Sequence, residues 1–187
     1  VTDMGSVKGK LIQWSDKQKF KNIHFVGSHP MAGSHHRGLG AARPDLFQHS
    51  TCFVVKSKKT NLVALKKVIQ FWKLICARIE VLDARTHDAI VASISHLPHL
   101  LASLLVKGTD SKSLNFAGPG FRDTTRISQG DPGLWEEIIS ENSPLIEKEL
   151  KIFRKDLDHF LACLRRGNRK KIFQILSQAS RQRRNLS

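Results

Sequence analysis

The spacing of hydrophobic positions changes character once along this chain. Up to about Asp83, short apolar runs and helical stripes alternate. An amphipathic helix is predicted over Leu11 to Phe20, a strand at Ile23 to Val26 and a second strand at Thr51 to Val55. A helix from about Leu62 to Cys76 and a third strand at Arg78 to Leu82 follow, and Val1-Thr2-Asp3 reads as the end of a strand already begun. Strand and helix alternating at this spacing predict an α/β layer. From Thr86 onward the period is helical. Ile90, Val91, Ile94, Leu97, Leu101, Leu104 and Leu105 recur at steps of three and four and make one apolar face. Leu145 to Leu164 and Lys170 to Leu176 add helices, with a C-cap and restart at Gly167-Asn168, and the Ser- and Gly-rich stretch from Gly108 to Gly120 predicts a loop. The fold class expected is therefore α/β plus all-α, divided into residues 1–83 and 84–187.

At 187 residues and 40% hydrophobic content the chain is long enough to bury a core. No apolar run is expected to reach the roughly 18 residues that span a bilayer, so a soluble, cytoplasmic protein without a membrane partner is the expectation. Cys52, Cys76 and Cys163 are odd in number, widely spaced and set in apolar surroundings, as buried free thiols in a reducing compartment would be. The net charge is +15, and after Asp158 no acidic residue offsets Arg165, Arg166, Arg169, Lys170, Lys171, Arg181, Arg183 and Arg184. Such an end can bind polyanions. A noncatalytic helical module that holds nucleic acid through its basic C-terminus is thus the alternative reading, although the aromatic interleaving that would favour nucleic acid is sparse.

Three polar segments carry the candidate chemistry: Gly27-Ser28-His29-Pro30-Met31-Ala32-Gly33-Ser34, Ser95-His96-Leu97-Pro98-His99, and Gly118-Pro119-Gly120-Phe121-Arg122-Asp123-Thr124-Thr125-Arg126. Each sets a titratable or cationic group beside a backbone-constraining Gly or Pro. On the long helix, Ala92, His96, His99 and Ser103 share one stripe, and Pro98 removes the bond its nitrogen would give to Ile94, which bends the helix near both imidazoles. Taken alone, H-x-x-H is also what helix-surface or satisfied core histidines give. His24, His29, His35 and His36 lack metal-ligand spacing, so no metal site is expected. His29 follows a predicted strand, where loops in open α/β sheets line ligand crevices, and an imidazole can take the proton of an alcohol that is becoming a carbonyl. Ser6, in Gly5-Ser6-Val7-Lys8, could orient that alcohol or cap a helix. The Arg126 guanidinium offers a planar fork that matches a carboxylate, or a partner for Asp123 three residues earlier.

Together with Val1-Thr2-Asp3-Met4-Gly5-Ser6-Val7-Lys8, these segments, in this order and over nearly the whole chain, resemble the prephenate and arogenate dehydrogenases of tyrosine biosynthesis. The resemblance implies the C-terminal remnant of a Rossmann dinucleotide-binding domain followed by a helical substrate-binding and dimerisation domain. It implies oxidation of prephenate by NAD or NADP with loss of carbon dioxide, giving 4-hydroxyphenylpyruvate, or of arogenate, giving tyrosine. By the same resemblance His29 bonds the ring hydroxyl and promotes hydride loss, while Ser6 contacts the same end of the substrate and the cofactor side. His99 and Arg126 hold carboxylates, Ser95 and His96 line the pocket, and the partners are the substrate and a second copy of the chain.

Two departures from the family pattern stand out. The strand, G-x-G-x-x-G turn and helix that hold a pyrophosphate are absent. The chain by itself is therefore expected to be an N-terminally truncated copy that neither binds NAD tightly nor turns over, and the residue that would choose between NAD and NADP is missing with that turn. Where the family commonly has a glutamate after H-P-M/I-A-G-S/T, this chain has His35, followed by His36 and Arg37. A cationic pocket mouth favours dianionic prephenate and removes a partner for arogenate's ammonium.

Overall fold

The structure, a computed structural model, describes residues 1–18, 21–32, 42–76 and 78–186. His35, His36 and Arg37 lie outside the described residues. Two compact units emerge, Val1–Ile146 and Glu147–Ser187.

The first unit is built on a sheet of β1 (Gly27–Pro30), β2 (Thr51–Lys56) and β3 (Arg78–Asp83), in that order. β1 runs antiparallel to β2 and β3 parallel to it, while Thr2 adds a parallel bridge to Val26. Cys52, Phe53, Val54 and Val55 are all buried, as a central strand covered on both faces requires. On one face α2 (Leu62–Lys73) sets Leu65 and Trp72 against Val26, Cys52 and Val54, which with Cys76 form the core cluster. On the other lie α1 (Gly9–Lys17) and α3 (Ala84–Val91): Ile12 is buried, and His87 meets Phe53 edge-on at 5.4 Å. Gly27 lets α1 come close, since a Cβ there would stand 3.1 Å from the Ile12 side chain and 3.3 Å from that of Lys8.

The first strand is displaced from the sequence expectation. Pairing begins at Gly27, so Ser28 and His29 lie within β1 instead of in a loop after it. Apolar content placed the strand at Ile23 to Val26, yet Ile23 is exposed and only Val26 joins the core. Polar Gly27-Ser28-His29-Pro30 forms strand because backbone hydrogen bonding to β2 is indifferent to side-chain polarity, and Ser28 is satisfied by Asp3 and Thr2.

Asp83 caps α3 by accepting from Thr86 N at 3.0 Å, and α3 continues through a π-helical turn, Ala92–His96, into α4 (Leu97–Gly108). The expected bend at Pro98 takes the form of this wide turn, in which Leu97 N–H reaches back five residues to Ala92 O. The resulting 25-residue helix, Ala84–Gly108, is by length and composition apolar enough to cross a membrane, contrary to the expectation that no such segment exists. The sequence count stopped at polar interruptions; His87, Asp88, His96 and His99 are those interruptions, and all four are buried in the fold.

Gly108 to Gly120 is not simply a loop. Asp110 accepts from Lys112 N and Ser113 N and nucleates α5 (Ser111–Leu114), and α6 (Pro119–Thr125) begins with Pro119 in its first turn. A 3₁₀ turn (Arg126–Gln129) and α7 (Pro132–Glu141), capped by Asp131, complete the unit with the first residues of α8 (Ser143–Arg165).

In the second unit, α8 ends at Gly167, whose φ of 61° is left-handed, with Asn168 N–H bonded to Cys163 O at 3.0 Å. Asn168 then caps α9 (Arg169–Arg184), the break and restart expected from the sequence. Cys52, Cys76 and Cys163 are buried free thiols.

Candidate functional site

The site grows from the start of α1. Helix N-termini leave amide protons without intrahelical partners. Here no side chain from α1's own flank caps them. Asp88 of α3 does so instead, its Oδ1 accepting from Lys8 N at 2.9 Å and its Oδ2 from Gly9 N at 2.8 Å. Ser6 is therefore not the cap. It sits half-buried in the turn ahead of α1, beside Gly5, whose N–H bonds Asp3 Oδ2 at 2.9 Å. Lys8 is fully buried and ion-paired with Asp3, whose other oxygen accepts from Ser28 N at 3.0 Å.

His29 stands one residue beyond Ser28, with its Nδ1 2.9 Å from His87 Nε2. His87 Nδ1 lies 2.8 Å from Asp88 Oδ1. Burial, reinforced by the neighbouring His87, Lys8 and His96, pushes the His29 pKa down to about 3, against which Asp88 acts only weakly. Burial pushes Asp88 up, but the hydrogen bonds from His87 and from the Lys8 and Gly9 amides prevail and hold it below the usual carboxylate range. Desolvation lowers Lys8, with Asp3 opposing.

A second polar cluster is joined to the first through Asp88. Asn142 Nδ2 donates to the Asp88 carbonyl at 2.9 Å and lies 3.1 Å from His96 Nδ1. Burial drives His96 down to about 4. His99, one turn on, is buried and lies flat on Trp135, with ring centroids 3.5 Å apart and planes 12° apart. Its Nδ1 is buried without a hydrogen-bond partner. A cavity of about 360 Å³ opens beside it, lined among others by Ser103, Ser128, Trp135 and Glu136. Gly130 closes against the stacked pair: a Cβ there would come 2.7 Å from Trp135 Cδ1 and 3.1 Å from His99 Cε1. Gly130 follows the 3₁₀ turn Arg126–Gln129, in which the Arg126 side chain is exposed.

His29 and His96 are linked through His87, Asp88 and Asn142, and His99 abuts Gly130 just after the Arg126–Gln129 turn, but the cavity beside His99 is lined by neither His29 nor Arg126. Ser95 is half-buried in the π-helical turn. Five participants escaped the sequence reading: His87, Asp88, Asn142, Gly130, and Trp135 as a stacking partner. For Asp88 a signal existed. Stepping back four residues from Ala92, along the stripe that holds His96 and His99, lands on it.

Residues 1–81 match the prephenate dehydrogenase nucleotide-binding domain, and residues 83–178 match the prephenate dehydrogenase dimerization domain. The chain belongs to the prephenate dehydrogenase family. It is 31% identical over 185 residues to the prephenate dehydrogenase of Bacillus subtilis, covering 96% of this chain and 50% of that one. With the cyclohexadienyl dehydrogenase of Zymomonas mobilis it shares 34% over 173 residues, covering 89% and 56%. The chain spans about half the length of the curated relatives it matches. Among solved structures it resembles the Aquifex aeolicus prephenate dehydrogenase in complex with hydroxyphenyl propionate and NAD+, with a TM-score of 0.89 and 29% identity, covering all of this chain and 66% of that one. The Synechocystis arogenate dehydrogenase aligns with a TM-score of 0.81 and 26% identity, covering all of this chain and 69% of that one. The architecture of the family accounts for the two periodicities of the sequence: part of a nucleotide-binding domain, with its small mixed sheet, followed by a helical dimerisation domain.

Proposed function

We propose that this chain forms part of the nucleotide-binding domain, together with the substrate-binding and dimerisation part, of an enzyme that oxidises prephenate to 4-hydroxyphenylpyruvate and carbon dioxide. The observations that carry the reading are a half-buried His29, kept neutral by desolvation and joined through His87 and Asp88 to the long helix, and a stacked, buried His99 whose Nδ1 has no partner. Family membership supplies the reaction class. NAD or NADP would accept the hydride. This sequence has no glycine-rich turn of its own to hold the pyrophosphate, so the residues here serve the reacting end and the substrate. Residues 1–83 are assigned to the nucleotide-binding part and 84–187 to substrate and dimer contacts.

In this reading Ser6 and His29 face the ring hydroxyl, with Ser6 also nearest the cofactor. Loss of hydride from the hydroxyl-bearing carbon makes that hydroxyl strongly acidic, so even an imidazole with a pKa near 3 can take its proton at Nε2. The electron pair of the breaking ring–carboxylate bond then enters the ring as carbon dioxide departs, aromaticity drives the step, and the His29 imidazolium returns its proton to the phenolate oxygen, leaving the hydroxyl of 4-hydroxyphenylpyruvate. Arg126 forks onto a substrate carboxylate and His99 donates to one, with Ser95 and His96 lining the same region. The three cationic or titratable residues His35, His36 and Arg37, where the family commonly begins with glutamate, favour prephenate over arogenate.

A homodimer is proposed through the helical part, where Ile94, Leu104 and Leu105 of the long helix and Ile152, Phe153, Leu157 and Leu161 of α8 are exposed apolar side chains. The polyanion-binding reading rests on charge alone, the exposed basic side chains of α9 lying along a single helix that also exposes Phe173 and Leu176.

Hydroxyphenyl propionate is a suitable probe. Titrated into this chain calorimetrically, it is expected to bind, and Arg126→Ala or His99→Ala should weaken binding at least about tenfold, as loss of a charge-assisted hydrogen bond does. Equal binding by wild type and both variants would refute the assignment of the pocket.

A further inference from the structure

We propose that His87 and Asp88 lock His29 into the single tautomer whose Nε2 carries the free lone pair, so that His87 is a positioning residue of the reaction. Its catalytic consequence rests on the dehydrogenase reading above; the tautomer itself does not.

The chain of donors fixes the protons one atom at a time. Asp88 receives two amide hydrogens at the positive end of α1, Lys8 N on Oδ1 and Gly9 N on Oδ2, and is held ionised, so it can only accept. His87 Nδ1, 2.8 Å from Asp88 Oδ1, must then carry a hydrogen. With Nδ1 protonated, the neutral ring presents Nε2 as an acceptor, and the atom facing it at 2.9 Å is His29 Nδ1. That nitrogen must donate. Neutral His29 is left with no proton on Nε2, the state in which it can receive one from a hydroxyl. The opposite polarity would require a second proton on a ring with no exposed surface.

Ring orientation is fixed as well as protonation. The His29 and His87 rings meet at 64° with centroids 5.1 Å apart, and Phe53 abuts the His87 ring edge-on. The charged and titratable groups around the pair are Lys8 with its partner Asp3, His96 on the long helix, Cys52 on β2, and Asp88 itself. When the substrate hydroxyl gives its proton to His29 Nε2, the new positive charge faces Asp88 through His87, and no proton need leave either of them. Neither His87 nor Asp88 touches substrate in this scheme. Each acts through His29, and a carboxylate that fixes an imidazole tautomer in this way is worth up to about 10⁴ in kcat in hydrolytic triads.

The test is direct on the chain itself. Two-bond ¹H–¹⁵N spectra of the ¹⁵N-histidine-labelled protein near neutral pH, with His29 assigned through His29→Asn, should show a protonated Nδ1 and a bare Nε2 on His29, and a protonated Nδ1 on His87. In His87→Leu the His29 signals should move toward the Nε2-protonated form, and Asp88→Asn should move them partway. A bare Nδ1 on wild-type His29 would overturn the proposal whether or not the variants fold. So would an unchanged His29 tautomer in a folded His87→Leu.

A kinetic arm uses this chain with the nucleotide-binding half of the Bacillus subtilis relative joined ahead of Val1. His87→Gln should lower kcat on prephenate about 100-fold while KM stays within about threefold, the pattern of a group acting only on the reacting hydroxyl. An unchanged kcat sinks the positioning role but leaves the dehydrogenase reading intact. Absence of turnover in the unmutated enzyme sinks that reading, and the spectra still decide the tautomer.

Discussion

The charges at the two ends of this protein are disposed in opposite ways. Around His29 the ionisable groups are buried and mutually satisfied: Lys8 on Asp3, Asp88 on two backbone amides and His87, and His96 on Asn142. Along α9 the Arg and Lys side chains are exposed, and the sequence holds no acidic residue after Asp158. Burying a charge is costly unless it is fully hydrogen-bonded, so the first arrangement persists only where every partner is in place, whereas exposed charge carries little energetic consequence. The dense basic tail is the louder feature of the sequence. The sparse buried cluster is the one that can do chemistry.

That contrast can be broken by mutation. The largest effect is expected for His29→Asn, with kcat on prephenate reduced about 10³-fold and hydroxyphenyl propionate affinity kept within about threefold, measured by steady-state kinetics and calorimetry. Asp88→Ala strips partners from Lys8 N, Gly9 N and His87 together, and chemical denaturation should show a loss of about 3–5 kcal/mol. In the second unit, Leu157→Glu with Leu161→Glu should convert a dimer to monomers in sedimentation without altering the His29 cluster.

Smaller still is the pH effect. His29 and His96, with folded pKa values of about 3 and about 4 against an ordinary 6.5, are neutral when folded and take up protons on unfolding. Their contribution to stability is complete above about pH 6.5 and is lost as pH falls toward 4 and then 3. Melting temperature should therefore decline on acidification below 6.5, and less steeply in His29→Asn. Arg181→Gln with Arg183→Gln should shift stability by no more than about 0.5 kcal/mol.

Much of the fold was legible because burial writes its period into the chain. The apolar steps from Ile90 to Leu105 marked the long helix, and Gly167-Asn168 marked the break between α8 and α9. The first strand was misplaced because Gly27 to Pro30 owes its structure to pairing with β2, which leaves no hydrophobic trace. His29, His99 and Arg126 stood out through neighbouring Gly and Pro. His87 and Asp88 did not, because a His-Asp pair at the start of a helix reads as ordinary solvated polarity until α1 and β1 are folded against it. Trp135 looked like packing, and it is, but what it packs is His99.

Most direct for the central claim is the rate of nicotinamide reduction by this chain joined to the Bacillus subtilis nucleotide-binding half, with prephenate and arogenate compared under both NAD and NADP. The account predicts prephenate-dependent reduction with kcat/KM for prephenate at least about tenfold above that for arogenate, the weight of one lost or gained ion-pair partner. Faster turnover of arogenate would contradict the substrate assignment, and no reduction with either substrate would contradict the assignment of the site.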